Sequence, residues 1–369
     1  MRPLIPLFAG WLAVTTGFGR LEPSTLKQAF ADDFVVGVAV AGLSSLTAAE
    51  RELIVRHFGV ITPGTHFKPV HLQPQEGRFT FEQADTLVGF AQANGLAVIG
   101  HTLVWHDATP DWFFRDGDQP ASRELLLRRL RDHIHAVVGH FRGRVKGWDV
   151  VNEGISDKPE EYLRPNKWQQ MIGDDYIAKA FGYAHEADPG AELYFNDYGG
   201  EHSLKREKTI RLIRELQAQG VRVDGIGIQL HLQLDRMAFA DIEKSIAAFH
   251  ALGAKVMITE LDVDLVERKV WGADTTQHEN PTDSNLGWAV APPEMLQRQA
   301  EQYAELFRIF RRQHAAVDRV TVWHLHDGKS WLNNWPVKGR TNHPLLFDRS
   351  LQPKPAFHAI LSVAREPKP

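Results

Sequence analysis

Eight short apolar runs, rich in valine and isoleucine, recur along the chain, and an amphipathic stretch follows each one. They are FVVGVAVAG (34–42), GVIT (59–62), LAVIGHTL (96–103), VKGWDVVNE (145–153), ELYFND (192–197), GIGIQLH (225–231), KVMITELD (255–262) and RVTVWHL (319–325). Such runs fit strands covered on both faces, as in a parallel sheet. Strict strand–helix alternation, eight times over, predicts an α/β fold of the closed (β/α)8 TIM-barrel type rather than an open doubly wound sheet. Helix ends are marked too. Thr47 with Glu50, and Thr80 with Gln83, each fit a capping box. Gly95, Gly220 and Gly253 follow helical patterns where a left-handed cap is wanted. No internal repeat or low-complexity linker interrupts the chain, so residues 23–369 read as a single barrel domain.

Composition removes several function classes. The net charge of −4, without a long basic block, argues against nucleic acid as a partner. The absence of cysteine excludes disulfides, thiolate metal sites and a cysteine nucleophile. No G-x-S-x-G elbow, P-loop or dinucleotide fingerprint is present. Eighteen histidines invite a metal site. His133 and His135 sit in a helical stretch at the wrong spacing for one face, and His324 and His326 lack a third ligand. No metal or cofactor is therefore expected. The N-terminal MRPLIPLFAGWLAVTTGFG carries one arginine and then an interrupted apolar stretch, too short for a membrane span. Residues 1–22 read as a secretory signal or N-terminal apolar segment, with Gly17 and Gly19 near a cleavage point. A secreted or periplasmic monomer without stable membrane insertion is the expectation.

Two glutamates carry the chemistry. Glu153 and Glu260 each end an apolar run, and a barrel gathers its strand ends at one face. Two carboxylates facing across a cleft can hydrolyse a glycosidic bond, one as acid/base and one as nucleophile. A lone strand-end glutamate is more often part of a structural salt bridge, so the neighbours decide. Asn152 stands beside Glu153, where an amide can bond a sugar 2-hydroxyl. Gln229 and His231 lie two apart on one strand and should point the same way, as should Glu260 and Asp262. The network this suggests has Gln229 or His231 holding Glu260, with Asp262 orienting His231. His101 and Trp105 close the third strand, and Trp323 and Trp331 frame the eighth. Tryptophan faces suit the C–H faces of sugars, whereas Trp148 and Trp168 read as core. The connection after Asp262 is long, and a loop of this length is commonly functional. Its Trp271 and Trp288 either line a cleft or anchor the loop.

At these residues the chain resembles family 10 glycoside hydrolases, the endo-β-1,4-xylanase family. The matching strings are GHTLVWH (100–106), WDVVNE (148–153), FNDY (195–198), GIGIQLH (225–231), ITELDV (258–263) and the tryptophan-framed segment from Trp323 to Leu332 containing DGKSWL. They span roughly residues 30–360. The resemblance implies a retaining hydrolase of xylan or xylo-oligosaccharides, with Glu153 as acid/base and Glu260 as nucleophile. It implies glycone contacts from Lys68, His101, Trp105, Asn152, Gln229 and Trp323, with His231 as partner of Glu260 and with Tyr198 and Trp331 flanking the cleft. One segment departs. The family's second strand end reads like ITPENEMKW, but here it is ITPGTHFKP (61–69), so Gly64 and Thr65 replace a Glu-Asn pair that reaches the second glycone sugar. That departure keeps open a retaining β-glycosidase of shifted specificity, acting on short or decorated xylo-oligosaccharides or another β-glycoside. A non-catalytic xylan-binding barrel is the remaining alternative.

Overall fold

The computed structural model describes residues 25–270 and 272–368. Eight parallel strands form the core sheet: β1 (Val35–Val40), β2 (Val60–Pro63), β3 (Ala97–Val104), β4 (Gly147–Asn152), β5 (Glu192–Asp197), β6 (Gly225–Ile228), β7 (Lys255–Asp264) and β8 (Val317–Val322). Each pairs with the next, and β8 pairs with both β7 and β1, so the sheet closes on itself. One main helix follows each strand: α1 (Ala48–His57), α2 (Glu82–Ala93), α3 (Arg123–His140), α4 (Tyr176–Ala187), α5 (Ser203–Ala218), α6 (Phe239–His250), α7 (Pro293–Arg312) and α8 (Pro355–Arg365). This is the (β/α)8 barrel that the alternation predicts.

The strands read as continuous apolar runs because helices cover their outer face while barrel residues fill the inner one. The helices show the complementary pattern. In α7, Tyr303, Phe307 and Phe310 recur at helical spacing and are fully buried against the barrel. Val60, Ile99, Tyr194 and Met257 form a separate buried cluster contributed by β2, β3, β5 and β7. Gly100 on β3 has a packing reason: a Cβ there would lie 2.1 Å from the Trp148 ring. Trp148 and Trp168 are both core residues.

The caps divide. Thr47 and Glu50 form a reciprocal capping box at α1. Gly95, Gly220 and Gly253 all take positive φ just after α2, α5 and α6. Thr80 does not cap α2. Phe81 occupies the N-cap position, and the Thr80 hydroxyl donates instead to the His71 carbonyl. A competing backbone acceptor within reach took the hydroxyl that the local pattern assigned to the helix. The signal read at residues 1–22 lies outside the described residues, as does Trp271. No described helix is long and apolar enough to cross a membrane.

Candidate active site

The C-terminal ends of the strands surround a pocket of about 240 Å³. Glu153 and Glu260 both line it, with Lys68, His101, Trp105, Asn152, Gln229, His231, Trp323 and Trp331. Glu153 follows directly on β4 and takes φ 58. Glu260 is not a strand terminus, because β7 runs on to Asp264, with a register shift against β8 between Ile258 and Leu261.

Each carboxylate is held by its own set of donors. Glu153 Oε1 accepts from Asn152 Nδ2 at 3.2 Å and from Gln229 Nε2 at 3.3 Å. Its Oε2 accepts from Trp105 Nε1 at 2.9 Å. Glu260 Oε1 accepts from Asn196 Nδ2 at 2.8 Å, and Oε2 from His231 Nε2 at 3.1 Å. One amide ladder joins the two sets, since Asn196 Nδ2 also donates to Asn152 Oδ1 at 2.8 Å. The two asparagines are register partners on β4 and β5. Thr259 fixes the ladder by donating to Asn196 Oδ1 at 2.6 Å.

Burial separates the two acids by what surrounds them. Burial pushes the Glu153 carboxyl above the usual carboxylate range, and the Glu260 charge adds to this against the pull of Arg164, Trp105 and Gln229. Burial acts on Glu260 in the same sense. There, hydrogen bonds from His231 and Asn196, with positive charge on His231 and His101, outweigh it and hold the pKa below the usual value. His231 has the opposite history: burial lowers it, but Asp262 and Glu260 raise it to about 10. Its Nδ1 meets Asp262 Oδ2 at 3.0 Å, so at neutral pH an imidazolium bridges two carboxylates.

The expected pairing on one strand is corrected here. β6 stops at Ile228, Leu230 takes φ 57, and a short strand His231–Gln233 resumes against β7. The kink turns Gln229 toward Asn152 and Glu153, while His231 turns toward Glu260 and Asp262. A left-handed backbone at a non-glycine residue costs roughly 1–3 kcal/mol.

Aromatic rings line the pocket. His101 Nδ1 is tied to Asp149 at 2.9 Å. Its ring meets the edge of Trp323 at 5.3 Å. The Lys68 ammonium lies 4.5 Å from the Trp105 ring centre. Burial lowers its pKa against the opposing charges of Glu260, Glu153 and Asp107. Trp331 Nε1 donates to Asp262 at 2.8 Å and its ring stacks on Trp335.

Tyr198 lies beside this lining. It is 1% exposed and lines an adjoining pocket that shares His231 with the first, its hydroxyl between Asp157 and Arg164. Trp288 packs on the main apolar core, and its carbonyl accepts from His343, so this tryptophan anchors the long loop. That loop also crosses the barrel mouth. Thr275 bonds Asp107 after β3, Asp274 approaches Arg164 after β4 at 3.9 Å, and Ala273 and Thr275 line the pocket.

Sequence reading missed several residues. Asn196 was visible as a polar residue ending an apolar strand, yet only the β4–β5 register shows that it faces Asn152. Arg164 Nε donates to the Glu153 carbonyl at 3.1 Å from a loop with no motif to mark it. His324, weighed only as a metal ligand, lines the pocket.

Comparison with known proteins agrees with this fold. The model of glycosyl hydrolase family 10 matches residues 25–363. The chain belongs to glycosyl hydrolase family 10. An endo-1,4-β-xylanase of Geobacillus stearothermophilus is 40% identical over 92% of this chain and 98% of its own. A family 10 endoxylanase from a sugarcane soil metagenome superposes with a TM-score of 0.88 at 35% identity, covering 92% of this chain and 99% of its own. A relative of different name is an exoglucanase of Acetivibrio thermocellus, 39% identical over 91% of this chain and 29% of its own length.

Proposed function

We propose that the protein is a retaining endo-1,4-β-xylanase. The observation that carries the reading is the opposite displacement of two carboxyl groups in one pocket, Glu153 upward and Glu260 downward. Two carboxyls driven apart in this way are suited to acid and nucleophile roles. Glu260, ionised and steered by His231 and Asn196, attacks the anomeric carbon from one face of the sugar. Glu153, protonated, gives its proton to the departing glycosidic oxygen. A covalent glycosyl–Glu260 ester results, and Glu153, now a base, takes a proton from the water that opens it. Asn152 bonds the sugar 2-hydroxyl. Lys68, His101, Gln229, Trp105 and Trp323 hold the glycone, and Tyr198 and Trp331 flank the cleft. The xylan substrate is inferred from the named relatives.

The chain is also proposed to be exported as a monomer after loss of residues 1–22. The mass of the exported protein, and its mass in solution by light scattering, check both points.

A second reading has support of its own. Gly64 leaves ordinary van der Waals space before the Trp323 ring, where a Cβ would lie 3.7 Å away. With a relative named as an exoglucanase, this favours a glycone bulkier than plain xylose. Reducing-end release from glucuronoxylan, arabinoxylan and β-glucan separates the readings. Oligosaccharides from the xylans alone support the xylanase. Release from β-glucan alone supports the alternative.

A further inference from the structure

We propose that His324 is a sugar-binding residue that reads the second ring of the glycone, accepting a hydrogen bond from a ring hydroxyl through Nε2. The inference deepens the xylanase reading and rests on it.

The first observation is conformational. Among the described residues, four that are not glycine have positive φ: Glu153, Leu230, His324 and Leu351. Glu153 is a pocket acid, and Leu230 makes the kink that separates Gln229 from His231. His324, at φ 92, is the farthest of the four from ordinary backbone. Strain of this kind persists where the surroundings impose it, and it clusters at functional sites. Yet the His324 side chain makes no hydrogen bond to another element. Its Nδ1 bonds only the carbonyl of Trp323, its own neighbour, at 2.9 Å. What the backbone achieves is to put a half-buried imidazole on the pocket wall beside Trp323.

The second observation is chemical. A carbonyl only accepts, so Nδ1 carries the proton, and in the neutral ring Nε2 is an acceptor. The ring is neutral through the working range. Burial, with Lys68 and His231 nearby, outweighs the Trp323 carbonyl and Asp262 and lowers its pKa to about 4. A neutral acceptor matches a sugar hydroxyl.

The third is position. β8, β1 and β2 are neighbours in the barrel, so His324 shares one sector of the mouth with Gly64, Thr65 and Lys68. That sector holds few polar groups. Gly64 contributes no side chain, and the Lys68 ammonium has no hydrogen-bond partner among the described residues. Glu153 follows β4, on the opposite side of the barrel order from β8, and Glu260 lies on the neighbouring β7. On the xylanase reading, a group standing with Gly64 and Thr65 meets the ring beyond the one being cleaved, where those two residues supply no more than a hydroxyl.

The test compares full-length wild type, His324→Gly and His324→Asn on an aryl β-xyloside and an aryl β-xylobioside. Glycine and asparagine both accept positive φ, so each variant should keep the fold, checked by circular dichroism and melting. The expected result is a KM for the xylobioside raised roughly 5- to 10-fold in His324→Gly, with kcat little changed. The one-ring xyloside should be unaffected, and His324→Asn should fall between. Equal losses on both substrates, or none on either, overturn the assignment. Wild-type turnover is the control for the xylanase reading: no turnover of either aryl substrate or of xylan overturns both proposals, whereas turnover with unaffected variants overturns only the role of His324.

Discussion

The sector of the barrel mouth from β4 to β7 and the sector from β8 to β2 differ in how their polar groups are held. In the first, Asn152, Asn196, Gln229 and His231 form an interlocked set that reaches both carboxylates. In the second, Gly64 is bare, Lys68 rests on a tryptophan face, and His324 bonds only its neighbouring carbonyl. On the proposed roles, this is a division of labour. Groups that must be aimed at a developing charge are fixed before substrate arrives, which is where electrostatic preorganisation acts. Groups that choose a substrate are left for the sugar to satisfy.

The comparison can be broken most severely at Glu260. Glu260→Ala should lower kcat on xylan by about 10⁴-fold or more, with the melting curve retained. Steady-state kinetics check it, and substantial residual turnover would remove the nucleophile assignment. Glu153→Gln comes next, at roughly 10²- to 10⁴-fold on xylan. An aryl substrate with a good leaving group should suffer less, because it needs little proton donation.

The pH profile sharpens the same contrast. Turnover needs Glu260 ionised and Glu153 protonated. The rate should rise as pH passes the lowered Glu260 pKa and fall as it passes the raised Glu153 pKa, giving a bell. Glu153→Gln should erase the alkaline limb. His231→Ala should cost roughly 10²-fold and move the acid limb upward, because the imidazolium that holds Glu260 down is gone. An acid limb unmoved in that variant would show that His231 does not set the ionisation of Glu260. Stability carries a matching signature. His231 is raised in the fold to about 10, so its contribution is full below its unfolded pKa near 6.5 and is lost as pH climbs through about 10. Melting temperatures across that window measure it, and His231→Ala should flatten the dependence.

The smallest effect belongs to the sparse sector. Gly64→Glu places a side chain where a Cβ makes only ordinary contacts. It should lower KM for unbranched xylotriose by roughly 5-fold and leave kcat nearly unchanged. A large loss of kcat instead would mean that the two sectors are not separable.

How much of this was legible in the sequence follows the same line. The barrel was readable because eight buried strands and eight amphipathic helices repeat one pattern, and Thr47 with Glu50 obeyed local rules. Thr80 did not, because the His71 carbonyl competed for it in space. The proposed reacting pair stood out as acids ending apolar runs, while residue spacing left Gln229 or His231 as the partner of Glu260, and the resemblance pointed to His231. The kink at Leu230 does not, since nothing in GIGIQLH signals positive φ. Asn196 needs the register of two strands, Arg164 needs the path of a loop, and His324 needs a backbone angle. Each depends on where another element passes, which periodicity along one element cannot report.

The measurement that bears most directly on the central claim is mass spectrometry of the enzyme treated with a 2-deoxy-2-fluoro-β-xylobioside carrying an activated leaving group. The fluorine slows hydrolysis of the ester, so the covalent intermediate accumulates. The expected result is a mass gain of one 2-fluoroxylobiosyl group (two sugar rings) per chain, with the label on Glu260 in the digested peptide. A label on Glu153, or turnover of the reagent with no label on any residue, would contradict it.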